Sequence, residues 1–233
     1  WQIAMAVLAL STMFCTNARR GGAILGVALA IWLHISLEGA PMTAAFFLFL
    51  GWRWMVGKDT GARLFWSIAV FACVTSLLFI GTQAQPLIAP VWCDTVSPPH
   101  VLAVLFAAAV MLPALRLLRP NPIIRGAVAA VAGGGALAII LAMAPQCTGG
   151  AFADLDPLVR EYWYSKVNEG MPVWYQPWRS AIVLLAGPVC GAIAWVILAR
   201  KSNRDDWPAL ATAGFFLFYA LLLTVLVIRT VSV

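Results

Sequence analysis

The sequence predicts an all-α fold, a polytopic transmembrane helix bundle of about eight spans with an interfacial helix in a large outer loop. Three observations carry this prediction. Of the 233 residues, 63% are hydrophobic and only 10% charged, and the mean hydropathy is +0.91. A soluble domain of this size has no use for so much apolar surface. The apolar residues collect into eight segments of about 16–23 residues, against the ~20 that cross a bilayer. Arg and Lys then recur in alternate connections, as the positive-inside rule requires of a multi-pass chain.

The segments run roughly 1–16, 21–36, 40–56, 63–81, 99–117, 124–144, 178–200 and 207–229. The first opens directly on Trp1 in WQIAMAVLALSTMF, with no signal peptide ahead of it. It reads as truncated, so the expectation is a piece of a longer protein whose residues 1–233 form a single transmembrane domain. The second segment carries Gly22 and Gly26, a GxxxG pair that marks a close helix contact. Only Leu37, Glu38, Gly39, Ala40 and Pro41 join it to the third. The two read as separate spans and not as one re-entrant pair, because the charge alternation then holds throughout. The sixth has Gly133, Gly134 and Gly135 at mid-span, where a neighbouring helix could approach. Gly187 and Gly191 form a second GxxxG pair in the seventh.

Residues 145–177 are the longest polar interruption. Asp156 can cap a helix that starts with Pro157, where a missing N–H costs nothing. The amphipathic helix expected here covers residues 157–168. At about 100° per residue, Leu158, Val159, Tyr162, Trp163 and Val167 fall on one half and Arg160, Glu161, Ser165 and Asn168 on the other. That is the pattern of a helix lying in the membrane–water interface. Lys166 sits inside the aromatic face. It either snorkels to lipid phosphate or faces an anionic, lipid-borne substrate.

The alternation of charge orients the chain. Arg19 and Arg20, then Arg53, Lys58 and Arg63, then Arg116, Arg119 and Arg125, then Arg200, Lys201 and Arg204 mark the odd connections as cytoplasmic. Glu38, Asp94 and the acidic residues of the long loop mark the even connections, and with them the C-terminus, as extracytoplasmic. The same scatter of basic residues over short loops argues against a nucleic-acid partner. Cys15, Cys73 and Cys190 belong to apolar segments. Cys93 and Cys147 are in loops, both on the oxidising side, so a disulfide between them is expected.

Few residues invite chemistry. His34 and Glu38 are four apart at the outer end of the second segment, and His100 opens the fifth on the same side. Ionisable groups at membrane depth usually face a cavity, so these three are candidate substrate-binding residues lining one outward-facing site. The other reading of His34 and Glu38 is a polar pair that ends a helix at the interface. One His and one carboxylate are too few for a metal site. Asp154-Leu-Asp156 looks like a DxD motif, but capping accounts for it. The chain has no P-loop, GxGxxG, HExxH, GxSxG or CxxC, so no cofactor and no metal is expected. The spans carry no Asp, Glu or Lys near their centres, which weakens a proton- or ion-coupled transporter.

HISLEGAP at 34–41, VWCD at 91–94 and PQCTGGAFADLDPLVREYWYSKVNEG at 145–170 resemble the C-terminal part of bacterial polytopic proteins of the GT-C glycosyltransferase superfamily. That superfamily includes protein mannosyltransferase-like and aminoarabinose-transferase-like enzymes. The resemblance implies an inner-membrane enzyme that moves a sugar from a polyprenyl-phosphate-linked donor to an acceptor on the extracytoplasmic face. It implies membrane lipid and that donor as partners. The family's usual catalytic carboxylate lies in a first outer loop that this stretch lacks, so no catalytic residue is carried over. Arg160, Lys166 and Arg179 offer cations for phosphate, and Trp163 with Tyr162, Tyr164, Trp174, Tyr175 and Trp178 offers rings for sugar and isoprenoid. The alternative is a non-catalytic membrane protein, a lipid or polysaccharide transporter subunit or a structural component.

Overall fold

In the computed structural model the described residues are 2–83, 90–118, 121–149, 156–162, 173–175 and 177–226. They are helical, with no strand among them. The helices are α1 (Gln2–Met13), α2 (Ala18–Ile35), α3 (Ala40–Met55), α4 (Ala62–Thr82), α5 (Pro98–Leu117), α6 (Pro122–Met143), α7 (Pro157–Tyr162), α8 (Trp178–Lys201) and α9 (Trp207–Leu226). The eight apolar segments are therefore helices, and six of the helices, α2, α4, α5, α6, α8 and α9, are long and apolar enough to cross a membrane. The expected count of about eight spans is met in part. α1 has 12 residues and α3 has 16, or about 18 and 24 Å of helix against a hydrocarbon core of about 30 Å. Short turns bound them. Leu37–Gly39 is a 3₁₀ turn before α3, and Gly57 and Gly61 take φ of 73° and 81° after it, a region L residues rarely enter.

Side chains set several of the helix starts. Asn17 accepts the Arg20 N–H at 3.0 Å to start α2. Asn121 accepts the Ile123 and Ile124 N–H groups, with Pro122 at the first position of α6. Asp156 accepts the Leu158 N–H at 2.8 Å, with Pro157 next to it, as the sequence predicts for α7. Of the amphipathic helix expected over 157–168, the residues from Trp163 onward lie outside the described residues. Leu158, Val159 and Tyr162 are exposed.

The structure divides into two compact units, residues 1–154 and 155–233. In the first, α2 and α4 run parallel in intimate contact. Gly22 faces Arg63 and Trp66, and Gly26 faces Ser67, Val70 and Phe71. A Cβ on Gly26 would lie 2.7 Å from the Ser67 carbonyl oxygen, and one on Gly22 would overlap the Arg63 carbonyl outright. The GxxxG pair thus lets two backbones touch. Arg63 reaches across from α4 and donates to the Thr12 and Cys15 carbonyls at the end of α1. Of the mid-span glycines Gly133, Gly134 and Gly135 of α6, Gly135 alone is covered, by the Phe106 ring of α5.

Charge segregates along this unit. One end gathers the start of α2, the end of α3, the starts of α4 and α6 and the end of α5, with Arg19, Arg20, Arg53, Lys58, Arg63, Arg116 and Arg125. Contacts tie these ends together: Arg125 Nη1 donates to the Trp54 carbonyl at 2.7 Å, and Arg116 lies over Phe65. The opposite end holds Glu38, Asp94 and both histidines. There a disulfide joins Cys93 to Cys147 with Cα atoms 5.1 Å apart, linking the approach to α5 with the turn after α6.

In the second unit, Trp195 of α8 donates its indole N–H to the Leu210 carbonyl of α9 at 2.9 Å, and its ring covers Gly214. Within this unit and among the described residues, the second GxxxG pair does not make a close contact. Nothing lies within 4 Å of a Cβ on Gly187, and Leu217 Cδ1 is 3.6 Å from one on Gly191.

Candidate functional site: an apolar groove with a polar end

The α3 helix turns one stripe of side chains toward α5 and α6. Ala40, Thr43, Phe47, Gly51 and Met55 recur every three or four residues, the spacing of one helix face. Opposite them stand small residues, Ala103 and Ala107 of α5 and Ala129, Ala132 and Gly133 of α6. The small side chains of α5 and α6, with Ala40 and Gly51 of α3 facing them, leave a gap instead of a packed seam. The gap is a groove of about 540 Å³ that runs the length of α3, from Ala40, His100 and Ile140 to Met55. A Cβ on Gly51 or Gly133 would meet nothing within 4 Å.

The groove is apolar except at its ends. Trp52 lies toward the cationic end, and Thr43 and His100 lie at the other. Thr43 is 6% exposed, and its Oγ1 is buried with no hydrogen-bond partner among the described residues. An orphan hydroxyl in such surroundings costs about 1–3 kcal/mol unless a ligand or water satisfies it. His100 is the third residue of α5 and closes a capping box with Ser97. The Ser97 main-chain N–H donates to His100 Nδ1 at 3.2 Å, and Ser97 Oγ lies 2.9 Å from the same nitrogen. The neutral ring therefore carries its proton on Nε2.

His34, Glu38 and His100 do not share this cavity as expected; His100 alone is on its wall. His34 and Glu38 are not on one continuous α-helix. The α2 helix stops at Ile35, Ser36 is extended, and Leu37–Gly39 is a 3₁₀ turn, so the four-residue spacing does not bring the two onto one face. Leu33 and Leu37 take the groove-facing places beside them. His34 Nδ1 donates to the Ala30 carbonyl at 2.9 Å, and its Nε2 is buried without a partner among the described residues. The Glu38 main-chain N–H donates to Ser36 Oγ at 3.3 Å. Arg160 lies in α7 but its side chain is outside the described residues, as are Trp163 and Lys166. No group of three or more His, Cys, Asp or Glu that could hold a metal exists among the described residues.

Sequence reasoning missed Thr43 and the groove. The signal was present as the alanine and glycine positions of α5 and α6, four apart, which sequence alone assigns to close helix packing. These features define a class: an all-helical protein with six membrane-length apolar helices and a groove between them. Compared with known families, with curated proteins and with solved structures, the chain finds no match in any of the three.

Proposed function

We propose that this chain is part of an integral membrane glycosyltransferase that takes a sugar from a polyprenyl-phosphate-linked donor on the extracytoplasmic face of a bacterial inner membrane. The groove along α3 carries the reading. A polyprenyl chain needs a narrow apolar slot at membrane depth, and about 540 Å³ is within the usual range for sites that enclose a ligand. A polar head needs hydrogen-bonding groups at one end, which Thr43 and His100 supply. The positive-inside rule makes the arginine-rich end cytoplasmic and the Thr43–His100 end external. Eight spans follow if α1 and α3 cross as well. In support, α3 contacts α6 near both ends, with Met55 beside Gly126 and Ala40 on a groove that Ile140 also lines. The interfacial helix expected over 157–168 would bring Arg160, Lys166 and Trp163 to donor phosphate and sugar.

The apolar lining of the groove serves equally the non-catalytic alternative, a subunit that binds or moves lipid. The test uses the full-length protein in nanodiscs with a photoreactive polyprenyl-phosphate sugar. Crosslinking to α3 or α6, lost in Gly51→Leu and Gly133→Leu, together with sugar transfer, supports the enzyme. Crosslinking with no transfer to any acceptor supports the lipid-binding subunit. No crosslinking removes the groove as the basis of either reading.

A further inference from the structure

The cationic end of the first unit carries a second cleft, which the proposed transfer does not use. It encloses about 420 Å³ between Arg19 of α2, Thr60 in the turn before α4, Phe65 and Trp66 of α4, and Arg116 of α5. Three of the cations at this end, Arg63, Arg125 and Arg53, already have oxygen partners. Arg63 donates to the Thr12 and Cys15 carbonyls, Arg125 to the Trp54 carbonyl, and Arg53 lies 4.0 Å from Asp59. Asp59, an acid at this end, faces Arg53 and accepts the Gly61 N–H at 3.1 Å. Arg19 and Arg116 differ. Both are exposed, and neither has a carboxylate or carbonyl partner among the described residues. The Arg116 guanidinium lies 4.2 Å from the centre of the Phe65 ring. That cation–π contact holds the guanidinium beside the ring, and a guanidinium can fork two N–H donors onto a phosphate.

We propose that this cleft binds the phosphate of an anionic membrane phospholipid. The two arginines supply unopposed positive charge, and Thr60 adds a hydroxyl. The apolar neighbours favour a lipid over a soluble anion. Phe65, Trp66 and Leu115 share the cleft, and Leu117, one residue past Arg116, is 78% exposed at the end of a membrane-length helix. A headgroup held here leaves its acyl chains along the outer faces of α4 and α5, where lipid belongs. This inference rests on the membrane reading alone and stands or falls apart from glycosyl transfer.

The test is lipid retention by native mass spectrometry of the full-length protein, released from bilayers of equal phosphatidylglycerol and phosphatidylcholine. The parent retains phosphatidylglycerol in preference. Arg19→Gln and Arg116→Gln each lower that preference by about three- to tenfold, the loss of one exposed charge-assisted contact. Arg20→Gln removes an equal charge from an exposed residue outside the cleft and leaves the preference unchanged. Arg116→Lys keeps the charge, loses the fork and falls between parent and Arg116→Gln. If Arg20→Gln lowers the preference as much as Arg19→Gln, the attraction is diffuse surface charge and the cleft is not a site. If inorganic phosphate at millimolar concentration displaces the lipid, the site takes a soluble anion and the proposal fails. If either Gln variant proves unfolded, the Arg116→Lys and Arg20→Gln pair decides.

Discussion

Two glycines in the same sequence motif should respond to the same substitution with opposite signs. Gly22 and Gly187 both begin a GxxxG pair inside a long apolar helix. A methyl group on Gly22 would overlap the Arg63 carbonyl and come within 3.0 Å of Trp66 Cβ. Neither neighbour is the free end of a flexible chain, so α2 and α4 must part. Overpacking of this kind costs about 1–3 kcal/mol. Replacing Gly by Ala in a helix returns up to about 1 kcal/mol. Because the overlap is with a backbone carbonyl, the cost lies at the upper end of that range, about 2–3 kcal/mol, and the net loss for Gly22→Ala is about 1–2 kcal/mol. For a chain of this length that lowers the melting temperature by roughly 2–8 °C. Gly187→Ala meets no atom of the described residues of its own unit within 4 Å, so only the propensity gain remains, and the melting temperature stays or rises by about 2–4 °C. Thermal unfolding of both variants in one detergent, followed by intrinsic tryptophan fluorescence, measures the contrast. A neutral Gly22→Ala, or a Gly187→Ala as damaging as Gly22→Ala, would refute the close α2–α4 contact.

Three further outcomes are expected. The Cys93–Cys147 bridge spans 54 positions of sequence, and the chain-entropy estimate for such a loop is about 4 kcal/mol. Reduction, Cys93→Ser and Cys147→Ser should each lower thermal stability by the same amount, and the double variant should add nothing. Cys73→Ser, which changes a free and exposed thiol, should have no effect. Thr43→Val keeps the shape and removes an unpartnered hydroxyl, so stability without ligand should hold or rise by about 1 kcal/mol while capture of the photoreactive lipid falls. Equal capture by parent and variant would show that the hydroxyl touches no head group. Arg63→Met should cost about 2–4 kcal/mol, because it strands the Thr12 and Cys15 carbonyls at the end of α1. A variant as stable as the parent by denaturant titration would count against that bridge.

Much of the fold is legible in one dimension, because hydropathy and capping are local quantities. Whether a run of apolar residues becomes a helix depends on its own length and composition, and all eight apolar segments are helices in the structure. Asp156 and Pro157 start α7 for the same reason: a cap acts on N–H groups two or three residues away. The pairing of Cys93 with Cys147 could be read from topology, since they are the two cysteines outside the apolar segments. What sequence cannot show is which helix faces meet. Gly22 and Gly26 touch α4 whereas Gly187 meets nothing, although the motif is identical, because a close approach depends on the partner helix as much as on the glycine. The alanines of α5 and α6 look like packing residues and instead line a groove, because α3 presents Gly51 and Thr43 to them and does not fill the gap. His34 and Glu38 look like one helix face because four residues separate them, and the chain instead leaves the α-helix at Ser36 between them. Each of these outcomes depends on contacts between residues far apart in the chain, and only the tertiary structure decides them.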